Sequence, residues 1–389
     1  MRLQSALRIW ASGFALGFVA AYCPAQTAAV QQIATTDGNQ QLIPTRNLDF
    51  EPVETDPGLT LPSAWEAWPH CLSDGSLVLN AVDWEALKNT PKGSFPKYNH
   101  IVLIVQGKKT QTILSTSISG LTDFQIRDVF PGDSGVYFLL DGTKDQPGER
   151  GPGKSPAGIP LSSYRNYVAR FDLDGTYEGV TELGTQCDLS RPGSCEVRYL
   201  AVFPSGDMLV TESDPGTSTL KVLYLKSSGE AVKQIDVPAS RKPMDWGDSH
   251  SNPQLAQAAK SFLSSVYFTA VGDNIVVWRA NSDDPVVEVS QGGGVREVPI
   301  EIPRGWRFAG MVASNDRWVV HYRTENTPPE TRMSTDIDAY YDVRPQDGSL
   351  AARLVPKGES PLPIECESSG TYTSFKFADS GKSVLLKAQ

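Results

Sequence analysis

The sequence predicts an all-β protein assembled from repeated four-stranded units, and three features carry that prediction. Residues 197–212, VRYLAVFPSGDMLVTE, read as two strands joined at a Ser205-Gly206-Asp207 turn, and the pattern returns along most of the chain. Tyr199, Ala201 and Phe203 alternate on one face before that turn. The 33 Gly and 28 Pro among 389 residues suit many short strands better than long helices. Finally, the last unit lacks an outer hairpin, while the N-terminal segment 30–45 reads as an outer hairpin with no inner pair before it. Joining the two ends closes a ring. The expected architecture is a six-bladed β-propeller of four antiparallel strands per blade, in which N- and C-terminal segments share the last blade. Radial repetition leaves only short, protected sheet edges.

In chain order, residues 1–25 read as an export signal. Arg2 and Arg8 give a positive start, residues 9–22 are apolar or small, and cleavage is expected after Ala25. The apolar run is short for a membrane span, and no later stretch is suited to one. Cys23 raises a lipid anchor, but bulky Tyr22 stands where that signal needs a small residue. The mature chain is expected in the periplasm or outside the cell, as a monomer. Residues 26–68 hold the hairpin, turning at Asp37-Gly38, and a connector rich in Pro and acids.

The propeller proper is expected over 69–389. Its first unit is the strand pair 71–80 with an outer hairpin at 100–114. The second is 124–140 with 167–183, turning at Asp174-Gly175, and the loop 141–163 between them is expected to be long, exposed and mobile. The third is the 197–212 pair with 220–237. The fourth runs from 264 to 302, the fifth pairs 307–323 with 339–355, and the last is 372–387. Positions matching Pro204 are Ser73, Pro131, Ala270, Ala313 and Ala378, 43 to 73 residues apart. A blade needs about 40–50 residues, so several units carry insertions. The uneven steps also leave room for five or seven blades, and a two-sheet sandwich is the competing architecture.

Without Cys23, four cysteines remain, an even number that invites disulfides in an exported chain. Cys187 and Cys195 flank a turn-rich loop and form the first candidate pair. Cys71 and Cys366 lie just before the first and last repeats, which touch in a closed ring. They are either a second pair or two buried thiols. The net charge of −10 gives no footprint for phosphate backbones, which argues against nucleic acid and against an anionic membrane surface.

An inner strand pair followed by FDLDGTYEG (171–179) or LYLKSSGEA (223–231), with VFPSGDML at 202–209, resembles bacterial six-bladed propellers of the NHL, TolB and SMP-30-like kinds. The resemblance spans most of 70–389 and implies an exported propeller without specifying a substrate. The SMP-30-like group further implies a divalent cation on the channel axis, held by acidic and amide side chains.

Propellers place function at a mouth of the channel, so residues just before the innermost strands are the first candidates. Asp123, Glu196 with Arg198, and Arg307 hold comparable places. Two guanidiniums there would suit a carboxylate or phosphate, and the bland alternative is that they pair with Glu196, Asp123 or carbonyls and hold loops. The loop 244–250, MDWGDSH, offers Asp245, Asp248 and His250 for a metal or for acid–base work, with unspecific spacing. Residues 172–175 begin like a calcium loop but lack the rest, and a hairpin turn explains them. Trp246, Trp278, Trp306 and Trp318 read as core or rim anchors, and His321 as a satisfied strand histidine. No GxSxG, HExxH, CxxC or phosphate-cradling motif occurs, so no catalytic residue is assigned. The leading function is binding or scaffolding for a protein, peptide or glycan. The competing one is a metal-dependent hydrolase or lactonase at the channel mouth.

Overall fold

A computed structural model describes residues 43–56, 67–82, 99–114, 118–149, 151–155, 158–185, 196–214, 219–237, 266–279, 284–314, 317–324, 338–357, 364–377 and 383–389. Two short strands come first, Thr45–Leu48 (β1) and Glu51–Pro52 (β2). Blade 1 comprises Ala67–Cys71 (β3), Leu77–Val82 (β4), Asn99–Val105 (β5) and Lys108–Leu114 (β6). Blade 2 comprises Asp123–Gly132 (β7), Gly135–Thr143 (β8), Arg165–Phe171 (β9) and Tyr177–Glu182 (β10). Blade 3 is Glu196–Val202 (β11), Met208–Asp214 (β12), Thr219–Leu225 (β13) and Ala231–Ile235 (β14). Blade 4 is Tyr267–Val271 (β15), Asn274–Trp278 (β16), Val286–Ser290 (β17) and Val295–Val298 (β18). Blade 5 holds Trp306–Ala313 (β19), Trp318–Thr324 (β20), Asp338–Val343 (β21) and Leu350–Pro356 (β22). Blade 6 holds Cys366–Ser368 (β23), Thr371–Phe377 (β24) and Ser383–Ala388 (β25), completed by β2.

The all-β, six-bladed propeller expected from the sequence is therefore the observed fold. The tight turns form where Gly permits them. Gly206 sits at φ +85° with its amide donating to the Phe203 carbonyl at 2.8 Å, a conformation that costs a side-chain-bearing residue energy. The Asp172 turn is likewise a hairpin: Gly175 N donates to Asp172 O at 3.0 Å, and Asp172 Oδ1 accepts from Thr176 N at 2.7 Å.

Strands facing a blade on each side are buried on both faces, so alternation fades where the core is deepest. Every residue of β8, GVYFLLDGT, is buried. The same crowding overturns the alternation expected at 199–203: a bulge between Val197 and Leu200 breaks the register, and Leu200, Ala201 and Val202 are all buried. Apolar clusters fill the blade interfaces. Phe124, Phe138 and Phe171 join blade 2 to Leu72 and Val78 of blade 1, and Trp318, Tyr322 and Phe308 pack against Val276 and Val286 of blade 4. Each such side chain contributes about 1.5–3 kcal/mol over its exposed state.

The ring closes with both ends of the chain in blade 6, but the division differs from the expected two-plus-two. The C-terminal segment supplies three strands and β2 supplies the outermost one, pairing Glu51 with Lys387 and Pro52 with Leu386. The pair at 372–387 is thus the second and third strands, not the innermost pair. The innermost strand, β23, is three residues long, too short to show a pattern. β1 adds a parallel fifth strand to blade 5, Thr45 opposite Arg353. Residues 45–52, read as hairpin end and connector, are therefore sheet. The rest of the N-terminal hairpin lies outside the described residues. Cys71 of β3 and Cys366 of β23 form a disulfide with Cα atoms 4.9 Å apart, joining the first and last blades. Cys187 and Cys195 lie outside the described residues.

Candidate functional site

The innermost strands β3, β7, β11, β15, β19 and β23 all run the same way, so the ring has a leading face where they begin and a trailing face where they end. Asp123 and Glu196 open β7 and β11, and Arg307 is the second residue of β19. All three stand at the leading face, each in a different blade. Their partners are local. Tyr164 donates to Asp123 Oδ2 at 2.6 Å, and Arg198 Nε donates to Glu196 Oε2 at 2.6 Å. Arg307 is half-buried. Asp245, Asp248 and His250 lie outside the described residues.

The 141–163 loop is exposed over its described residues 144–149 and 151–154, as expected, but hydrogen bonds tie its later part down on the approach to Tyr164. Ser155 N donates to Ile159 O at 2.7 Å, Leu161 N donates to Gly153 O at 2.9 Å, and Ile159 is buried. Ile159 gives the segment an apolar anchor, which turn-former composition does not reveal. Beside it, Asp141 is buried and fully engaged. Arg127 Nε donates to it at 2.5 Å, Asn166 Nδ2 at 2.7 Å, and Asn166 in turn accepts from Thr185 at 2.8 Å. Burial raises the Asp141 carboxyl, against the pull of Arg127. Asp128, between blades 2 and 3, accepts from Leu200 N and Val129 N at 2.8 and 2.9 Å. It keeps partial exposure, yet burial still pushes its carboxyl up to about 7. Asp141 ties strands of blade 2 together and Asp128 ties blade 2 to blade 3, so these carboxylates serve the fold.

The bulge in β11 produces a different surface. It frees the Tyr199 amide from the ladder, and Thr211 Oγ1 accepts it at 3.1 Å. Tyr199 then faces Tyr267 of β15, ring centres 5.3 Å apart. Tyr267 stacks on Trp278 at 4.7 Å and 24°, and Trp278 meets Phe308 of β19 edge-on at 5.5 Å. This row crosses blades 3, 4 and 5, and its first three rings are half-buried. The indole is fixed by donation from Nε1 to Thr269 Oγ1 at 2.9 Å. The indole edge lies over Gly310 of β19, 3.6 Å from where a Cβ would stand, an ordinary contact distance.

Trp278 also forms one wall of a cavity of about 340 Å³, shared with Met311, His321, Arg323, Tyr340 and Glu365. His321 stacks on Tyr340 at 4.8 Å and 12°. Sequence reading placed Trp278 and His321 as anchor and strand residue. Their convergence with Glu365, 44 positions after His321, depends on how the blades meet. Trp318 is a core anchor, fully buried, and Trp306 is half-buried at the leading end of β19. Among the described residues no three His, Cys, Asp or Glu side chains are grouped to hold a metal ion.

Glu365 gives the cavity a pH signature. Burial raises its carboxyl from 4.5 to about 7, so the folded chain holds a proton there that the unfolded chain releases. Stability from this group is present below the unfolded value and is lost as pH rises through about 7. Glu365→Gln should therefore stabilise the protein near pH 8 and have little effect near pH 4.5. At about 1.4 kcal/mol per pH unit, reduced for partial exposure, the gain is on the order of 2 kcal/mol. Urea unfolding at the two pH values checks it, and equal effects at both would refute the assignment.

Fold and mouth together define an aromatic-rimmed six-bladed β-propeller with a polar cavity beside the channel. No family model matches the chain, and no curated protein matches it in sequence. Among solved structures it is similar to a luciferin-regenerating enzyme, at 9% identity over 85% of this chain and 92% of that one, TM-score 0.40. It is also similar to a DUF4221-family protein from Bacteroides vulgatus, at 8% identity over 89% and 97% of the two chains, TM-score 0.41. A Hadza microbial sialidase is similar at 9% identity over 82% and 64%, TM-score 0.42. No activity passes to this chain from likenesses of that degree.

Proposed function

We propose that this chain is an exported binding module that receives a glycan at the leading-face mouth. The observation that carries the reading is the row Tyr199–Tyr267–Trp278 opening beside a cavity with His321, Arg323 and Glu365. Half-exposed stacked rings offer apolar faces to the C–H faces of a pyranose, while the neighbouring polar groups meet its hydroxyls. A protein partner would need a broad apolar patch. Among the described residues the exposed large hydrophobics are Ile43, Val232 and Val295, scattered over β14, β18 and the approach to β1.

Export rests on the signal-like residues 1–25 and is supported by the Cys71–Cys366 disulfide, which persists in oxidising compartments. No helix among the described residues is long and apolar enough to cross a membrane. The competing reading, a metal-dependent hydrolase or lactonase, has its candidate donors Asp245, Asp248 and His250 outside the described residues.

A panel of oligosaccharides screened against the purified mature chain tests the reading. Trp278→Ala should weaken a bound oligosaccharide about tenfold or more with the fold intact by circular dichroism. Binding to none of the panel, or unchanged affinity in Trp278→Ala, would end it.

A further inference from the structure

The trailing face carries a second cleft, of about 460 Å³, lined by Pro44, Thr45, Arg46, Arg317, Asp342 and Arg344 among others. Its three guanidiniums come from three places: β1, the segment between β19 and β20, and the end of β21. Three guanidiniums line the cleft beside one lining carboxylate, Asp342, while Glu367 acts electrostatically on Arg317 and Asp342, and Asp347 on Arg344. The Asp342 carboxylate is buried and already bonded. Tyr372 OH lies 3.0 Å from both of its oxygens. Arg46 Nη1 and Arg317 Nη1 donate to the same hydroxyl at 2.8 and 3.0 Å, and stand 3.7 and 3.8 Å from Asp342 Oδ2. Arg344 takes no part in that network and donates through Nη1 to Ser349 Oγ at 3.0 Å.

A guanidinium carries five N–H donors in a rigid fork. Here the described hydrogen bonds of each arginine run through one nitrogen, and the cleft wall includes the short side chains of Ala351 and Ala352. The Arg46 and Arg317 contacts hold β1 and blade 6 together. They do not account for Arg344. Guanidinium forks match the oxygen pairs of tetrahedral oxyanions.

We propose that this cleft binds a doubly charged tetrahedral oxyanion, the phosphate monoester or sulfate ester of a ligand. Forks from three separate segments suit the several oxygens of such a group, where a carboxylate offers only two. The site is separate from the leading-face mouth and does not depend on the glycan reading.

Titration calorimetry of the whole mature chain with inorganic sulfate and inorganic phosphate, against sodium chloride at matched ionic strength, tests the proposal. The expected result is saturable binding with one site per chain for at least one of the two. Arg344→Gln should weaken it about tenfold at an unchanged melting temperature, since Arg344 lies outside the Tyr372 network. Arg317→Gln should weaken it as much and lower the melting temperature as well. Phosphate binding that falls as pH drops below about 6, beside constant sulfate binding, would show that the second charge is read and tell the two sources apart. Heats equal to those of chloride for both ions, or wild-type affinity in Arg344→Gln, would overturn the proposal.

Discussion

Replacing Cys71 and Cys366 together by alanine should lower the unfolding free energy by about 3–5 kcal/mol, the largest effect expected of any change in the chain. The bond closes a loop of sequence separation 295, so its loss releases a large conformational entropy in the unfolded state. It also crosses the seam where the two ends of the chain meet. The apolar cluster there is small: Leu77, Leu79 and Ile104 of blade 1 meet Phe375 and Leu385 of blade 6, with Val53 and the disulfide itself. Gly75 shows how close the blades come, since a Cβ on it would lie 2.8 Å from Ser368 Cβ. Denaturant unfolding of the wild type with and without reductant, beside the double variant, measures the effect. Reduced wild type and variant should coincide, both well below the oxidised protein. Coincidence of all three curves would mean that the seam holds without the bond.

Tyr372→Phe should cost about 2–3 kcal/mol and loosen β1. Its hydroxyl is where Arg46, Arg317 and the buried Asp342 meet, and the ring itself is fully buried. Removing one oxygen strips the carboxylate of its closest hydrogen-bond donor and leaves two guanidiniums nearly 4 Å away. A buried carboxylate without a direct donor is expensive, while the lost ring–core contact is nil because Phe fills the same space. Arg46 belongs to β1, so the loss should appear there first, as faster proteolysis around 43–48. A change in stability within about 0.5 kcal/mol, with wild-type proteolysis, would show that the network contributes little.

Blades 2 to 5 were legible because each repeats strands of four to ten residues around turns that Gly and Asp mark. Blade 6 was legible only as a shortage: the missing hairpin pointed to closure by both termini, and the ends do share a blade. Its division was hidden because β2 and β23 are two and three residues long, below the length at which alternation appears. Cys71 and Cys366 were legible once a ring was assumed, since first and last blades must touch. The candidate site was less so. Asp123, Glu196 and Arg307 do stand at the leading face, yet the side chains proposed to receive a ligand there are Tyr199, Tyr267, Trp278 and Glu365. Tyr199 reaches its partner through a bulge, and bulges leave no mark in a single sequence. Arg46 and Arg344 meet across nearly the whole chain, which only the pairing of β1 with β22 brings about.

The leading-face mouth is the proposed binding surface. Hydrogen exchange of the mature chain, read with and without a bound oligosaccharide, tests it most directly. Protection should appear around Tyr199 and Tyr267, at the Trp278 end of β16, and around His321 and Glu365. The outer strands β10, β14 and β18 should exchange as before. Protection confined to those outer strands or to the trailing face would contradict the claim.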